Sequence, residues 1–347
     1  MKNILHFAAG ILLVCLLTVC SVSCSDSGSG NKTSAIDTTA KSTYPKMSAK
    51  ERLAKNNILE KHFTWSRNNL KGKVKLLSKK RYGISEKAGK ETKAVAVKEN
   101  WIFDAKGNFI ERSDYKPNGT LMSKSVIMYD ANDNDTVAVY YDSTENLRGR
   151  STYNLDNRGN DIEELSYDKD GTLQRRITFK YDDKDNLIEM AFYKKDGHLD
   201  DKVAYKYDER GFVTAGESFD STGKPWMDQT RKYDDNGNHL ETVIYKPDGS
   251  FDSKWVLIYD DKGNRIESDD YNGHDSLTSK QTWKYDDKGN KTETIVYKQD
   301  GSIDENKSAY YEYAYDTTGN IIKETQTKMK SGKRITTAYT ETEYTYY

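Results

Sequence analysis

Tyr285-Asp286-Asp287-Lys288-Gly289-Asn290 is the stretch whose reading decides the fold, because versions of it return every 26 residues. The anchors are Phe103-Asp104, Tyr129-Asp130, Leu155-Asp156, Tyr181-Asp182, Tyr207-Asp208, Tyr233-Asp234, Tyr259-Asp260 and Tyr285-Asp286, and then, after 30 residues, Tyr315-Asp316. A fixed spacing of this kind marks a repeat architecture. Twelve residues past each of the first eight anchors stands a second aromatic: Tyr115, Tyr141, Tyr167, Tyr193, Phe219, Tyr245, Tyr271 and Tyr297. Most of these lead into another turn, as in Tyr245-Lys246-Pro247-Asp248-Gly249. Each unit therefore holds two turns and two short strands.

Within a unit the apolar residues alternate with polar ones. Leu173, Ile177, Phe179 and Tyr181 share one side of a strand, with Arg176, Thr178 and Lys180 on the other. The same column continues through Leu199, Val203, Tyr205 and Tyr207, and later through Phe251, Trp255, Leu257 and Tyr259. The turn Gly supplies a left-handed residue after a type I turn, and the Asp before it bonds the turn amides. Asp133 and Asp185 stand in for that Gly, a conformation Asp tolerates. One register faces Lys180 with Glu189, Lys232 with Glu241, Lys284 with Glu293 and Met128 with Val137, pairing charges with charges and an apolar residue with another. It puts Ile266 and Tyr271 on opposite sides of one strand, which requires a bulge or a different second turn.

The fold expected is all-β: an elongated, twisted antiparallel meander of about twenty short strands, made of 26-residue hairpins and preceded by a short N-terminal helix. At ~4.8 Å per strand it would run roughly 90 Å as an open sheet. A partly closed spiral is the alternative. Closure into a membrane barrel is not expected, since the strands lack an outward apolar band.

The chain has 347 residues, 31% charged and 35% hydrophobic, too polar for one large core and too rich in Tyr for simple disorder. Four segments are expected. Residues 1–24 resemble a bacterial lipoprotein signal: Lys2, an apolar run from Ile4 to Val19, then Ser21-Val22-Ser23-Cys24, with Cys24 as the lipidated residue and Cys20 its rival. Residues 25–46 are a Ser/Thr/Gly/Lys tether. Residues 47–102 begin with the capping box Ser48-Ala49-Lys50-Glu51 and a helix to about Glu60, then a capping hairpin from Leu70-Lys71-Gly72-Lys73-Val74-Lys75-Leu76-Leu77 and from Lys93 to Phe103. Residues 103–347 are the repeats. The resemblance at Cys24 and Ser25 implies lipid anchorage in the outer membrane, with surface exposure suggested by Asp26. From Lys41 to Lys98 stand 17 Lys plus Arg against 4 Asp plus Glu, so the repeats of a nearly neutral chain are acidic. The basic segment reads as a solvated face beside that acidic neighbour, or as a platform for an anionic membrane or polysaccharide.

Tyr-Asp-x-x-Gly-Asn resembles the YD repeats of RHS proteins, whose strands coil into a hollow shell, over about Lys93 to Tyr347. Leu70 to Lys75 followed by such units resembles uncharacterised RHS-repeat lipoproteins of the Bacteroides type. The resemblance implies contact with surface carbohydrate or protein; the units here are expected to be too few to enclose a cavity.

Chemistry is sparse. Asp130-Ala131-Asn132-Asp133-Asn134-Asp135 alternates oxygen ligands as a calcium loop does, but has Asp135 where Gly is needed and Tyr141 where Glu is needed, so it reads as a turn. His62, His198, His239 and His274 are scattered, without metal-ligand spacing, and are expected on the surface. There is no phosphate loop and no nucleophile elbow. Neither an enzyme nor a cofactor is expected, and acidic repeats disfavour nucleic acid. Trp226, Trp255 and Trp283 lie in successive second strands and are the candidate sugar-stacking residues, with a structural ladder across strands as the alternative. The function expected is a non-enzymatic envelope lipoprotein binding glycan or protein, or a docking module of an envelope complex; a glycan hydrolase is the remaining class.

Overall fold

The computed structural model describes residues 68–87, 90–330 and 332–347. The signal, Cys24, the tether, the Ser48-initiated helix and His62 lie outside the described residues. Those residues form twenty β-strands. They are β1 (Val74–Lys87), β2 (Lys90–Phe103), β3 (Phe109–Tyr115), β4 (Leu121–Tyr129), β5 (Asp135–Tyr141), β6 (Leu147–Leu155), β7 (Asp161–Asp168), β8 (Leu173–Tyr181), β9 (Leu187–Lys194) and β10 (Leu199–Tyr207). The second half holds β11 (Val213–Asp220), β12 (Pro225–Tyr233), β13 (His239–Tyr245), β14 (Phe251–Tyr259), β15 (Arg265–Tyr271), β16 (Leu277–Tyr285), β17 (Lys291–Tyr297), β18 (Ala309–Tyr315), β19 (Ile321–Lys330) and β20 (Lys333–Tyr346).

The anchor turn explains why the strands begin where they do. The Asp286 amide donates to the Asn290 carbonyl at 2.8 Å, and the Gly289 amide to the Asp286 carbonyl at 3.0 Å. Asp286 Oδ1 accepts from the amides of Lys288 and Asn290, at 3.0 and 2.8 Å, and Oδ2 from Asn290 Nδ2 at 3.1 Å. One carboxylate thus satisfies the turn's free donors, while Gly289 at φ +80° closes it in the left-handed region. Asp133 and Asp185 adopt the same conformation at φ 62°. Each also reaches the preceding anchor turn, Asp133 at 2.7 Å from Lys106 and Asp185 at 2.5 Å from Arg158. Asp130 bonds the amides of Asn132 and Asn134 in the same way, so the calcium-like stretch is a turn.

The paired register holds throughout: Lys180 faces Glu189, Lys232 faces Glu241, Lys284 faces Glu293 and Met128 faces Val137. Bulges reconcile it with the aromatic pattern. A shift between Lys284 and Tyr285, and another between Asp270 and Tyr271, each let the last residue of a strand skip one partner. Ile266 is itself the extra residue of the bulge opposite Tyr259.

The open sheet is corrected. Each strand pairs antiparallel with the next, and β1 also pairs with β20, from Leu77↔Tyr344 to Gly83↔Ala338. The meander is a closed barrel, not an elongated ribbon, and β1 and β2 form part of its wall instead of capping it. Closure removes the two long edges that an open sheet would expose. Nor are the units too few: twenty strands give a wall roughly 95 Å round, past the size at which side chains fill the interior.

Inward side chains of a closed barrel converge and outward ones diverge, so burial identifies the faces. The face carrying Ile177, Phe179, Tyr205 and Trp283 is buried. The opposite face carries the Lys180–Glu189, Lys232–Glu241 and Lys284–Glu293 ion pairs at 2.7, 2.7 and 2.9 Å, with the lysines well exposed. The two aromatic columns separate accordingly. Anchor tyrosines point inward, where Tyr129, Tyr207 and Tyr285 donate to the carbonyls of Phe109, Leu187 and Arg265. The second aromatics point outward beneath cross-strand cations: Lys98 over Tyr115, Arg150 over Tyr167, Arg176 over Tyr193, Lys202 over Phe219 and Lys254 over Tyr271. Ion pairs and cation–π contacts thus dress the outer wall.

Candidate ligand site on the inner wall

Four places before the anchor most units carry a large side chain, as Ile177, Val203, Gln229, Trp255 and Gln281. In β4 and β6 that position is Ser125 and Ser151. The small side chains open a recess of about 840 Å³ across β3–β8, lined from the inward face by Arg112, Asp114, Ser123, Ser125, Tyr140, Gly149, Ser151, Glu164, Ser166, Asp168 and Arg175. Gly149 is obligatory here, because a Cβ on it would stand 2.4 Å from the Tyr167 carbonyl oxygen on the adjoining strand.

The polar groups of the recess are held in place before any ligand arrives. Arg112 sits 3.0 Å from Asp114 and 3.1 Å from Glu99, and its guanidinium stacks at 5.6 Å over Trp101. Ser123 donates to Asp114 at 3.3 Å, the Ser151 and Ser166 hydroxyls meet at 3.0 Å, and Arg175 lies 3.8 Å from Glu164. Tyr140 keeps 41% of its surface exposed among these groups. Donors, acceptors and an open ring within one shallow wall suit an uncharged polar molecule carrying hydroxyls. Asp114 and Glu164 are engaged by arginine and serine, and Asp168 by the amides of its own turn and by Gln174, which leaves carboxylate oxygens as hydrogen-bond acceptors for a ligand's hydroxyls.

The three tryptophans are not brought together. Trp283 is buried at 7% exposure. Trp255 is half-buried on the same face but pairs with Thr242 and Asp270, in a different row. Trp226 is the extra residue of the bulge opposite Phe219. His239 corrects the surface expectation: it points inward, bonds Thr242 at 2.8 Å, and burial together with the neighbouring Arg231 lowers its pKa to about 4. His198 and His274 are exposed. The recess escaped the sequence reading, which followed residues that keep the repeat; its signal was the residues that break it.

No protein-family model and no curated protein sequence matches the chain. Among solved structures, a porin-like protein from Bacteroides uniformis aligns at TM-score 0.35 and 11% identity, over 78% of this chain and 97% of that one. A TcdB2–TccC3 complex aligns at TM-score 0.28 and 10% identity, covering 76% of this chain. The Tc holotoxin pore of Photorhabdus luminescens aligns at 0.25 and 10%, again over 76%. The chain spans 20% and 19% of those two toxin chains. The architecture given above rests on this chain's own strand pairing.

Proposed function

We propose that the chain is a non-enzymatic binding protein of the bacterial envelope, anchored through Cys24 to the outer membrane, whose barrel takes neutral glycan segments on its inner wall. The observation that carries the reading is the recess between β3 and β8. Serine and glycine make room, Tyr140 offers a ring to a sugar face, and Arg112, Asp114 and Glu164 offer fixed partners to hydroxyls. The charged outer wall supports a body that stands in water on its tether, not one inserted in the bilayer. Residues 25–46, with almost nothing apolar, suit that tether. The resemblance to RHS-repeat lipoproteins agrees with a role in surface contact.

A glycan array probed with the purified full chain tests this. Binding to neutral oligosaccharides that weakens about tenfold or more in Tyr140→Ala and Arg112→Ala is the expected result. An array silent for the native chain would remove the sugar reading.

A further inference from the structure

The hairpin of β1 and β2 outgrows the wall. β2 keeps β1 as a neighbour along its length, as far as Lys90↔Lys87 at the tip. Its other edge pairs with β3 only from Phe103↔Phe109 to Lys98↔Tyr115, where β3 ends and the chain turns into β4. The β1–β20 ladder stops at the same end of the barrel, at Gly83↔Ala338. From Lys90 to Val97, therefore, β2 meets no strand on its β3 side among the described residues. At ~3.3 Å per residue this is about 25 Å of open edge. Alternate residues turn N–H and C=O groups out along it, and among the described residues no other backbone segment takes them up.

The side chains do not guard this edge. Thr92, Ala94, Ala96 and Val97 are exposed and small, and the stretch has no Pro. Edge strands are commonly blunted by a Lys reaching outward or by a bulge. Lys93 leans the other way: its ammonium lies 3.8 Å from the Tyr82 ring centroid on β1, 4.4 Å from that of Tyr339 on β20, and 3.9 Å from Glu341. The bulge falls at Ala96 and leaves Thr92 to Val95 in regular register with Ser85 to Tyr82. A strand laid along the open edge would continue the line of β3. It would arrive beside Lys98, whose ammonium is 5.1 Å from the Tyr115 ring centroid, and beside the exposed Lys116 of the next turn. Two cations at that end suit a strand that brings carboxylates.

Charge also separates the occupants. In a second copy the repeat strands are already flanked on both sides, and its own free edge would set Lys93 and Lys98 against their counterparts. Residues 41–67 of this chain hold seven Lys and Arg against two Asp and Glu, the same sign as the edge. They also lead into the far end of the hairpin, where Asn320 holds the Lys71 backbone.

We propose that β2 from Thr92 to Val97 docks an extended acidic segment of another protein, which joins the sheet as an added strand. Main-chain hydrogen bonds supply the affinity, and carboxylates beside Lys98 and Lys116 select the segment. This rim site does not depend on the recess binding a glycan.

The test titrates the full chain with a labelled, end-capped peptide, Glu-Val-Glu-Val-Thr-Val-Thr, followed by fluorescence anisotropy and hydrogen exchange. Two further peptides are compared, one N-methylated at alternate residues and one with Lys in place of Glu. The acidic peptide should bind saturably and slow exchange of the outward amides between Thr92 and Val97, and both altered peptides should bind about tenfold or more weakly. Lys98→Glu should reverse the preference between the acidic and the Lys-bearing peptide, while Lys284→Gln on the outer wall leaves affinity native. The proposal is overturned by a silent acidic peptide, by equal binding of the N-methylated one, which would mean attraction without a strand, or by edge amides that exchange slowly before any peptide is added, which would mean an edge already covered. If Lys98→Glu fails to fold, the N-methyl contrast on the native chain decides alone.

Discussion

Two seams of the barrel are built in opposite ways. Where β1 meets β20, the ladder runs from Val74↔Tyr346 to Gly83↔Ala338, and loop contacts reinforce it. Asn320 grips Lys71 through both its backbone amide and its carbonyl, at 2.6 and 2.8 Å, and Tyr347 reaches the Phe103 carbonyl at 2.6 Å. Where β17 meets β18, only Glu293↔Tyr310 and Thr294↔Ala309 pair. The interrupted ladder is patched by a side chain: buried Ser308 accepts from the Val296 amide at 3.0 Å and donates to the Asp304 carbonyl at 2.8 Å. The weak seam falls where the anchor spacing lengthens from 26 to 30 residues, between Tyr285 and Tyr315. The repeat guarantees neighbour pairing while it lasts. Residues outside the repeat close the barrel, and an irregular unit within it leaves the thinnest joint.

The strongest way to break this contrast is to remove β20. A chain ending at Lys330 leaves the edge of β1 unpaired from Val74 to Gly83, so loss of the cooperative thermal transition and of the monomer by light scattering is expected. A monomer that melts as the native chain does would mean that the seam is dispensable. Next in size, Asn320→Ala removes three hydrogen bonds of a buried amide, two to the Lys71 backbone and one to Tyr346, and should cost about 2–3 kcal/mol in urea unfolding. Ser308→Ala takes a buried hydroxyl from between the Val296 amide and the Asp304 carbonyl at a joint that is already thin, and about 1–2 kcal/mol is expected. Its hydrogen-exchange increase should be confined to β17 and β18, which in the native chain should already exchange faster than β1 and β20. A Ser308→Ala cost larger than that of Asn320→Ala would reverse the ranking of the seams.

Glu324 sits between the seams, facing Tyr313 of β18 and Thr340 of β20. Burial raises its carboxyl pKa, against the opposing pull of Arg81 and Lys79. For an acid raised in the folded state, the stabilising contribution is present below the unfolded value of about 4.3 and is lost as pH climbs through the folded value. Glu324→Gln should therefore raise the Tm at pH 8 and leave it nearly unchanged at pH 4, a comparison that thermal melts at the two pH values would decide. The smallest effect is expected on the outer wall. Replacing Lys284 and Glu293 together by Gln and Gln removes a surface pair worth about 0–1 kcal/mol, and a larger loss in urea would show that the exterior helps to hold the weak seam.

Much of this was legible beforehand. Asp286 and Gly289 announce their turn because carboxylate acceptors and a left-handed residue are local needs. The facing of Lys180 with Glu189 follows from loop length and charge. The serine recess was visible only as a departure from the period, and gains meaning once Ser125 and Ser151 are known to point inward. Trp226, Trp255 and Trp283 looked like one row because they recur in sequence; the bulge at Trp226 and the different row of Trp255 separate them.

By itself, then, the chain determined its strands, turns and register, since each depends on interactions within about thirty residues. Closure, and the assignment of one aromatic column to the interior and the other to solvent, were decided by the tertiary structure. A period-two pattern states that two faces differ but carries no curvature, and which face is concave depends on whether β1 finds β20, some 260 residues away.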